Sequence, residues 1–327
     1  MTDPSTPYSL VARAPTRLDF GGGWTDVPPY STREGGCVCN VAITLCAHVR
    51  LTRIDFDQAT RIEGPATDQA LVDAALQRMG VSGVRLELSS DFPVSAGLGG
   101  SSAAGVAILG ALDRWNAGDS ALNRTALAEM SRNLEVRDLG IAGGRQDHYA
   151  AAYGGALGLW FAENTTVRPI PLPPDLAQTL ARRCVVAYTG ESRISADTIL
   201  GVMNAYESGS KAVTQALAHM KGLAELMILA LQHGDIDTLG RLVANHWQWQ
   251  RSLHPAIPTP LIDDLLARAT YAGSLGGKAL GASGGGCVLA IAPQGGEQRL
   301  RAAMSAQAQL LDFMIDTNGF SWEAIPA

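Results

Sequence analysis

The sequence predicts a mixed α+β protein of two domains. Its 327 residues, 46% of them apolar, exceed what a single small core needs. Short runs with a period of two alternate with longer runs at helical spacing. A proline-dense stretch near the middle then separates a strand-rich half from a mostly helical one.

Residues 9–20, 37–55 and 84–90 read as strands, the last from the alternation Val84-Arg85-Leu86-Glu87-Leu88. Residues 68–79 and 101–117 read as helices, the second keeping apolar residues at helical spacing through Trp115. A helix over 122–138 ends at Gly140-Ile141-Ala142-Gly143-Gly144, where the glycines make a loop. Strands return at 156–161 and 183–189. Between them, four prolines fall within 169–174, too many for a helix interior or a central strand, and mark the junction of domains 1–173 and 174–327. Helices over 194–205, 209–233, 235–252 and 260–271, a strand over 287–291 and a helix over 297–308 complete the second half. Within His246-Trp247-Gln248-Trp249 a helix sends the two tryptophans in different directions, which suits packing better than a stacking platform.

A net charge of −6, with no dense Lys/Arg cluster, argues against a nucleic-acid or anionic-membrane surface, so an anionic ligand must be held locally. The five cysteines (Cys37, Cys39, Cys46, Cys184, Cys287) are odd in number, sit among apolar residues and lack a CxxC pair, as reduced core thiols do. Met1–Pro7 carries neither a basic region nor an apolar run, and no segment approaches the ~18 apolar residues of a membrane span. These features predict a cytoplasmic protein.

Four segments carry chemistry. In Phe92-Pro93-Val94-Ser95-Ala96-Gly97-Leu98-Gly99-Gly100-Ser101-Ser102-Ala103, glycines precede two hydroxyl residues at the start of a helix. Glycine lets backbone N–H groups crowd an anion, and a helix N-terminus adds partial positive charge, so the segment reads as a phosphate cradle or as a serine-capped turn. The commoner nucleotide loop ending in Gly-Lys-Ser/Thr is absent from the sequence. In Ala14–Asp26 a strand carrying Arg17 runs into Gly21-Gly22-Gly23-Trp24-Thr25-Asp26, where Asp26 either accepts hydrogen bonds from a polyol or forms the turn. In Leu134–Tyr149, Glu135 sits on a helix and Asp147 twelve residues later in a glycine loop. One carboxylate with a hydroxyl suits magnesium, and a second can accept a proton. Gly276–Cys287 is a second glycine-rich turn before a strand.

Together these segments resemble the motifs of the GHMP small-molecule kinases, in the family's order and across nearly the whole chain. The Gly-Gly-Trp-Thr-Asp-Val-Pro-Pro-Tyr continuation is similar to the fucokinase and glycero-manno-heptose 7-phosphate kinase branch. The resemblance implies a ribosomal-protein-S5-domain-2-like N-terminal domain, a ferredoxin-like C-terminal domain and a site in the cleft between them. It implies ATP and Mg2+, with Pro93, Gly97, Leu98, Gly99, Gly100, Ser101, Ser102, Ala103, Gly284 and Gly285 around the nucleotide and with Ser102 and Glu135 on the metal. Asp147 becomes the base and Arg17 the basic residue beside it. Thr25, Asp26, Gly144, Arg145 and Arg193 face the acceptor, the two arginines meeting its phosphate.

Two departures stand out. The cradle is one glycine longer than the family's common form, which leaves Ser101 and Ser102 both open as metal ligand, and His148 follows the base where many relatives carry Gln or Asn. The implied reaction is transfer of the ATP γ-phosphoryl group to a sugar hydroxyl, most often the anomeric one, of a heptose 7-phosphate. Alternatives are a fucokinase-type kinase of a free sugar, a kinase of a non-sugar alcohol such as mevalonate, and a non-catalytic sugar-responsive protein. The expected partner is a small-molecule sugar or sugar phosphate, without nucleic acid or membrane, and with a homodimer as the assembly allowed for.

Overall fold

The computed structural model describes residues 9–54, 61–63, 69–117, 122–191 and 195–325. β1 (Ser9–Gly21) and β2 (Gly36–Arg53) form the spine of a seven-stranded sheet. β2 is long enough to serve two partners along one edge: β4 (Val84–Ser90) pairs with Ala47–Arg53, and β5 (Ala156–Phe161) pairs with Gly36–Val41. β3 (Arg61–Glu63) runs parallel to β4, β6 (Thr165–Ile170) lies against β5, and β11 (Ser321–Ile325) lies against β1.

The β1–β2 register shifts between Pro15 and Thr16, where proline has no N–H for the ladder. The shift decides which side chains reach the site. Leu10, Ala12 and Ala14 before it lie in one core, whereas Leu18 and Phe20 after it lie in another. Arg17 and Asp19 are thereby turned to the face that apolar residues held before.

Helices α2 (Gln69–Met79), α3 (Gly100–Ala117), α4 (Arg124–Asn133) and α5 (Gln146–Tyr153) pack on the first core, with α3 buried continuously from Ala103 to Leu112 except at Ala104. A short helix α1 (Tyr30–Arg33) lies against β2, the helix α6 (Pro174–Arg183) follows the first sheet, and α7 (Ser195–Glu207) leads to α8 (Lys211–Gln232), which covers the opposite face of β1 and β2. α8 buries Leu223, Met227 and Ile228 against Leu18, Phe20 and Cys39. A second, antiparallel sheet has the order β10-β7-β9-β8, from β7 (Cys184–Tyr188), β8 (Gly276–Ala279), β9 (Cys287–Ile291) and β10 (Gln309–Leu311). Helices α9 (Ile236–Ser252), α10 (Pro260–Tyr271) and α11 (Glu297–Ser305) complete this half. Asp235 and Thr259 cap α9 and α10 by accepting from the N–H groups of Thr238 and Ile262.

Several sequence expectations change. The helix expected over 122–138 is α4 followed by a π turn, Leu134–Asp138, in which the Leu139 N–H reaches the Leu134 carbonyl. The proline run is divided: Pro169 sits in β6, which among the described residues pairs only with β5, and Pro174 opens α6, where its missing N–H is unneeded. The chain leaves the first sheet after Ile170, yet β11 returns to it, so the last strand lies outside the second half's own sheet. All five cysteines are free and buried, and burial pushes Cys37, Cys184 and Cys287 up to about 12. Trp247 is buried under Arg251, while Trp249 stacks on His219. Among the described residues, no helix is long and apolar enough to cross a membrane.

Candidate active site

A cavity of about 490 Å³ opens where the first sheet, the start of α3 and the loop before β9 meet. Arg17, Asp19, Asp26, Ser102, Glu135 and Asp147 all line it. Chain positions more than a hundred residues apart converge here.

Arg17 Nε donates to Asp147 Oδ1 at 2.7 Å, and its Nη1 donates to the Gly97 carbonyl at 2.7 Å. The guanidinium is almost wholly buried and the Asp147 side chain about a quarter exposed, so the cation is fixed and the carboxylate faces the cavity. Asp147 sits in the first turn of α5, where the helix dipole favours an anion. Asp26 Oδ2 accepts the Arg145 N–H at 2.7 Å and the Gln146 N–H at 3.0 Å, capping that turn from a distant loop. Burial raises the Asp26 pKa to about 6, with the two N–H bonds pulling against it and the Asp147 and Asp19 charges adding to it. A Cβ on Gly144 would overlap the Asp26 carboxylate, so only glycine fits there.

Elsewhere in the cavity, Ser102 Oγ donates to Glu135 Oε2 at 3.1 Å, and His148 Nε2 lies 3.0 Å from the same oxygen. His148 Nδ1 meets Ser131 Oγ at 3.0 Å, which fixes the ring. Burial alone would raise the Glu135 pKa; the hydrogen bond and attraction of His148, with bonds from Ser102 and Ser101, bring it below its ordinary value. A carboxylate beside a hydroxyl is a hard-oxygen donor set that fits Mg2+ once phosphate oxygens complete it. The π turn carries Glu135 at its second position.

The two glycine loops pack backbone on backbone. The Cys287 N–H donates to the Ala96 carbonyl at 2.8 Å, and a Cβ on Gly97 would lie 2.8 Å from the Leu280 carbonyl oxygen. Gly97 and Gly99 take φ of +74° and +76°, which glycine adopts without strain. Pro93, Gly97, Gly99, Gly100 and Ser101 line the cavity with Ser102. Leu98 and Ala103 turn into the core instead.

Other expected site residues are placed elsewhere. The Gly284 N–H is taken by the Ile257 carbonyl at 2.8 Å and Gly285 abuts Glu191, so Gly281 and Ala282 are the part of that loop that lines the cavity. Thr25 is buried, its Oγ1 donating to the Gly22 carbonyl at 2.6 Å and bonded to the Cys37 backbone, which makes it a brace of the turn. The Arg145 guanidinium points to the β5–β6 hairpin, where Nη1 donates to the Ala162 carbonyl and Thr165 Oγ1; what Arg145 gives the site is its backbone N–H. Arg193 lies outside the described residues. The sequence reading missed Asp19, whose carboxylate accepts from Lys278 Nζ at 3.0 Å, and Gln146 on the cavity wall. The i, i+2 spacing of Arg17 and Asp19 was the available signal.

Comparison with known proteins identifies the family. The GHMP kinases N terminal domain matches residues 68–155 and the GHMP kinases C terminal domain matches residues 227–309, and the chain belongs to this family of ATP-dependent kinases. Among its relatives is a D-glycero-alpha-D-manno-heptose 7-phosphate kinase of Campylobacter jejuni, 26% identical across 96% of this chain and 99% of that protein. A bifunctional fucokinase/GDP-fucose pyrophosphorylase of Arabidopsis thaliana is 26% identical across 97% of this chain but only 32% of its own, longer one. The crystal structure of a D-glycero-D-manno-heptose 1-phosphate kinase from Bacteriodes thetaiotaomicron superposes with a TM-score of 0.75, at 24% identity, over 97% of this chain and 100% of that one, which establishes the shared fold.

Proposed function

We propose that this protein is an ATP-dependent sugar kinase whose acceptor is the anomeric hydroxyl of a heptose 7-phosphate. The observation that supports the reading is the Arg17–Asp147 pair, which sets a carboxylate about a quarter exposed against a buried cation in the same cavity that Ser102 and Glu135 line. The heptose phosphate draws its support from the full-length similarity to the Campylobacter jejuni enzyme.

In this reading the N–H groups at the start of α3 and the glycine loop around Gly97–Gly99 hold the triphosphate. Ser102 and Glu135 hold Mg2+, which when bound neutralises charge on the phosphates. Asp26, with one oxygen committed to α5, offers the other to sugar hydroxyls. The acceptor hydroxyl lies against Asp147, which takes its proton as the new oxygen–phosphorus bond forms, the bridging bond to the β-phosphate breaks and ADP leaves. Positioning supplies most of the rate.

Similarity to the plant fucokinase favours a second reading, a free 6-deoxyhexose as acceptor. An ADP-release assay with heptose 7-phosphate, L-fucose, galactose and mevalonate separates them. The proposal expects the highest kcat/KM with heptose 7-phosphate. A preference for fucose selects the second reading, and turnover of mevalonate alone overturns both.

A further inference from the structure

Lys278 is fully buried and Asp19 only 3% exposed, at the cavity, and neither is needed to bind nucleotide, metal or acceptor in the reading above. Lys278 belongs to β8 of the second sheet and Asp19 to β1 of the first, so their 3.0 Å contact ties the two halves together directly beneath the cavity. Asp19 and Arg17 share one face of β1 and line the same cavity, and Arg17 in turn holds Asp147. Charges therefore alternate along one line: Lys278, Asp19, Arg17, Asp147. Asp19 Oδ1 has no hydrogen-bond partner, and a Cβ on Gly23 would overlap the other oxygen, so the carboxylate is confined without being saturated.

His246 of α9 stands beside this pair. Its Nε2 accepts the Gly22 N–H at 2.8 Å, and burial together with Lys278 holds its pKa well below the usual value, so it adds no cation to the cluster. Lys278 is then the cation that satisfies Asp19. Without it, a buried carboxylate turns to the next one, Arg17, whose Nε and Nη1 are committed to Asp147 and Gly97.

We propose that the Asp19–Lys278 pair is a positioning latch across the two sheets: by neutralising Asp19 it leaves Arg17 free to hold Asp147, so that seating the second half completes the catalytic geometry. The proposal rests on Asp147 being the base. Asp19 and Lys278 are positioning residues and touch no reacting atom.

A double-mutant cycle with Asp19→Asn and Lys278→Met tests it, reading kcat and both KM values and, in parallel, thermal unfolding, which needs no substrate. Lys278→Met leaves the Asp19 carboxylate unmatched beside Arg17 and is expected to lose kcat about tenfold or more with the KM for ATP little changed, the size of coupling seen between contacting charges. Asp19→Asn leaves no carboxylate to draw Arg17 away and is expected to lose chiefly melting temperature, through the unmatched Lys278, with a smaller loss of kcat. The double variant removes both charges and is expected to recover most of the lost kcat and most of the lost melting temperature. Additive losses in kcat overturn the latch, as does a double variant that unfolds no higher than the singles. A loss confined to acceptor KM in Asp19→Asn, without rescue by Lys278→Met, would make Asp19 a substrate contact instead. Wild-type protein that turns over no sugar while Asp147→Asn binds ATP normally would instead refute the kinase reading, and the unfolding cycle still decides the pair.

Discussion

Gly99→Ala perturbs the position of Asp147 from the other side of the cavity. Gly99 has φ +76°, and an added Cβ would lie 2.9 Å from Asp147 Cγ and 3.0 Å from its Oδ2. Two costs follow. The left-handed backbone costs an alanine about 1–2 kcal/mol. The overlap pushes the carboxylate by a few tenths of an ångström, and Asp147 cannot move without lengthening its 2.7 Å bond to Arg17. A misplacement on the order of 1 Å costs roughly a hundredfold in rate, so a smaller one is expected to cost kcat about tenfold. Gly80 supplies the control: it follows α2 with φ +61° and has nothing within 4 Å of an added Cβ, so Gly80→Ala carries the strain alone. Steady-state kinetics and thermal unfolding on both variants separate the two costs. Both are expected to lose a similar amount of stability, and only Gly99→Ala to lose kcat. Equal kcat in the two variants would refute the placement of Asp147 as a reacting group.

Glu135→Gln keeps the shape of the side chain and removes an anionic oxygen, so the magnesium concentration giving half-maximal rate should rise; an unchanged magnesium dependence would leave Glu135 as a partner of His148 and Ser102 only. Asp26→Asn should alter the pH dependence of stability. With a folded pKa of about 6 against an ordinary 3.8, the folded state binds more protons in between, so this group withdraws stability as pH rises from about 4 to about 6, by ~3 kcal/mol. Denaturant unfolding across that range should show a shallower decline in the variant, and an identical slope would refute the burial-driven shift. Arg145→Met should lower stability, since it unseats the β5–β6 hairpin, while changing the acceptor KM little; a large rise in KM for the phosphorylated acceptor would show that the guanidinium reaches it.

The motifs with chemistry were legible because glycine spacing and paired hydroxyl and carboxyl residues have few other uses in combination. Ser102, Glu135, Asp147 and Arg17, which the family resemblance singled out, line one cavity. What could not be read was direction. Nothing in the sequence reveals that a register shift at Pro15 turns Arg17 and Asp19 toward α5, or that Arg145 sends its side chain to a hairpin and its N–H to Asp26. Lys278 carries no signal of its own within the glycine-rich stretch, since a partner 259 positions away leaves no local trace. Element boundaries were closest where periodicity was long, as in α9 and α10, and weakest where a short piece such as β8 or β11 exists only because a partner strand is present. The π turn kept helical periodicity and so hid inside an expected helix.

Whether Asp147 is the base is decided by single-turnover phosphoryl transfer by Asp147→Asn, with ATP affinity measured on the same protein. Asparagine preserves the side-chain shape and an acceptor for Arg17 but cannot take the acceptor's proton. Unchanged ATP binding and a transfer rate lower by ~10²-fold or more, the scale of general-base catalysis, are expected. A transfer rate equal to that of the wild type would contradict that role.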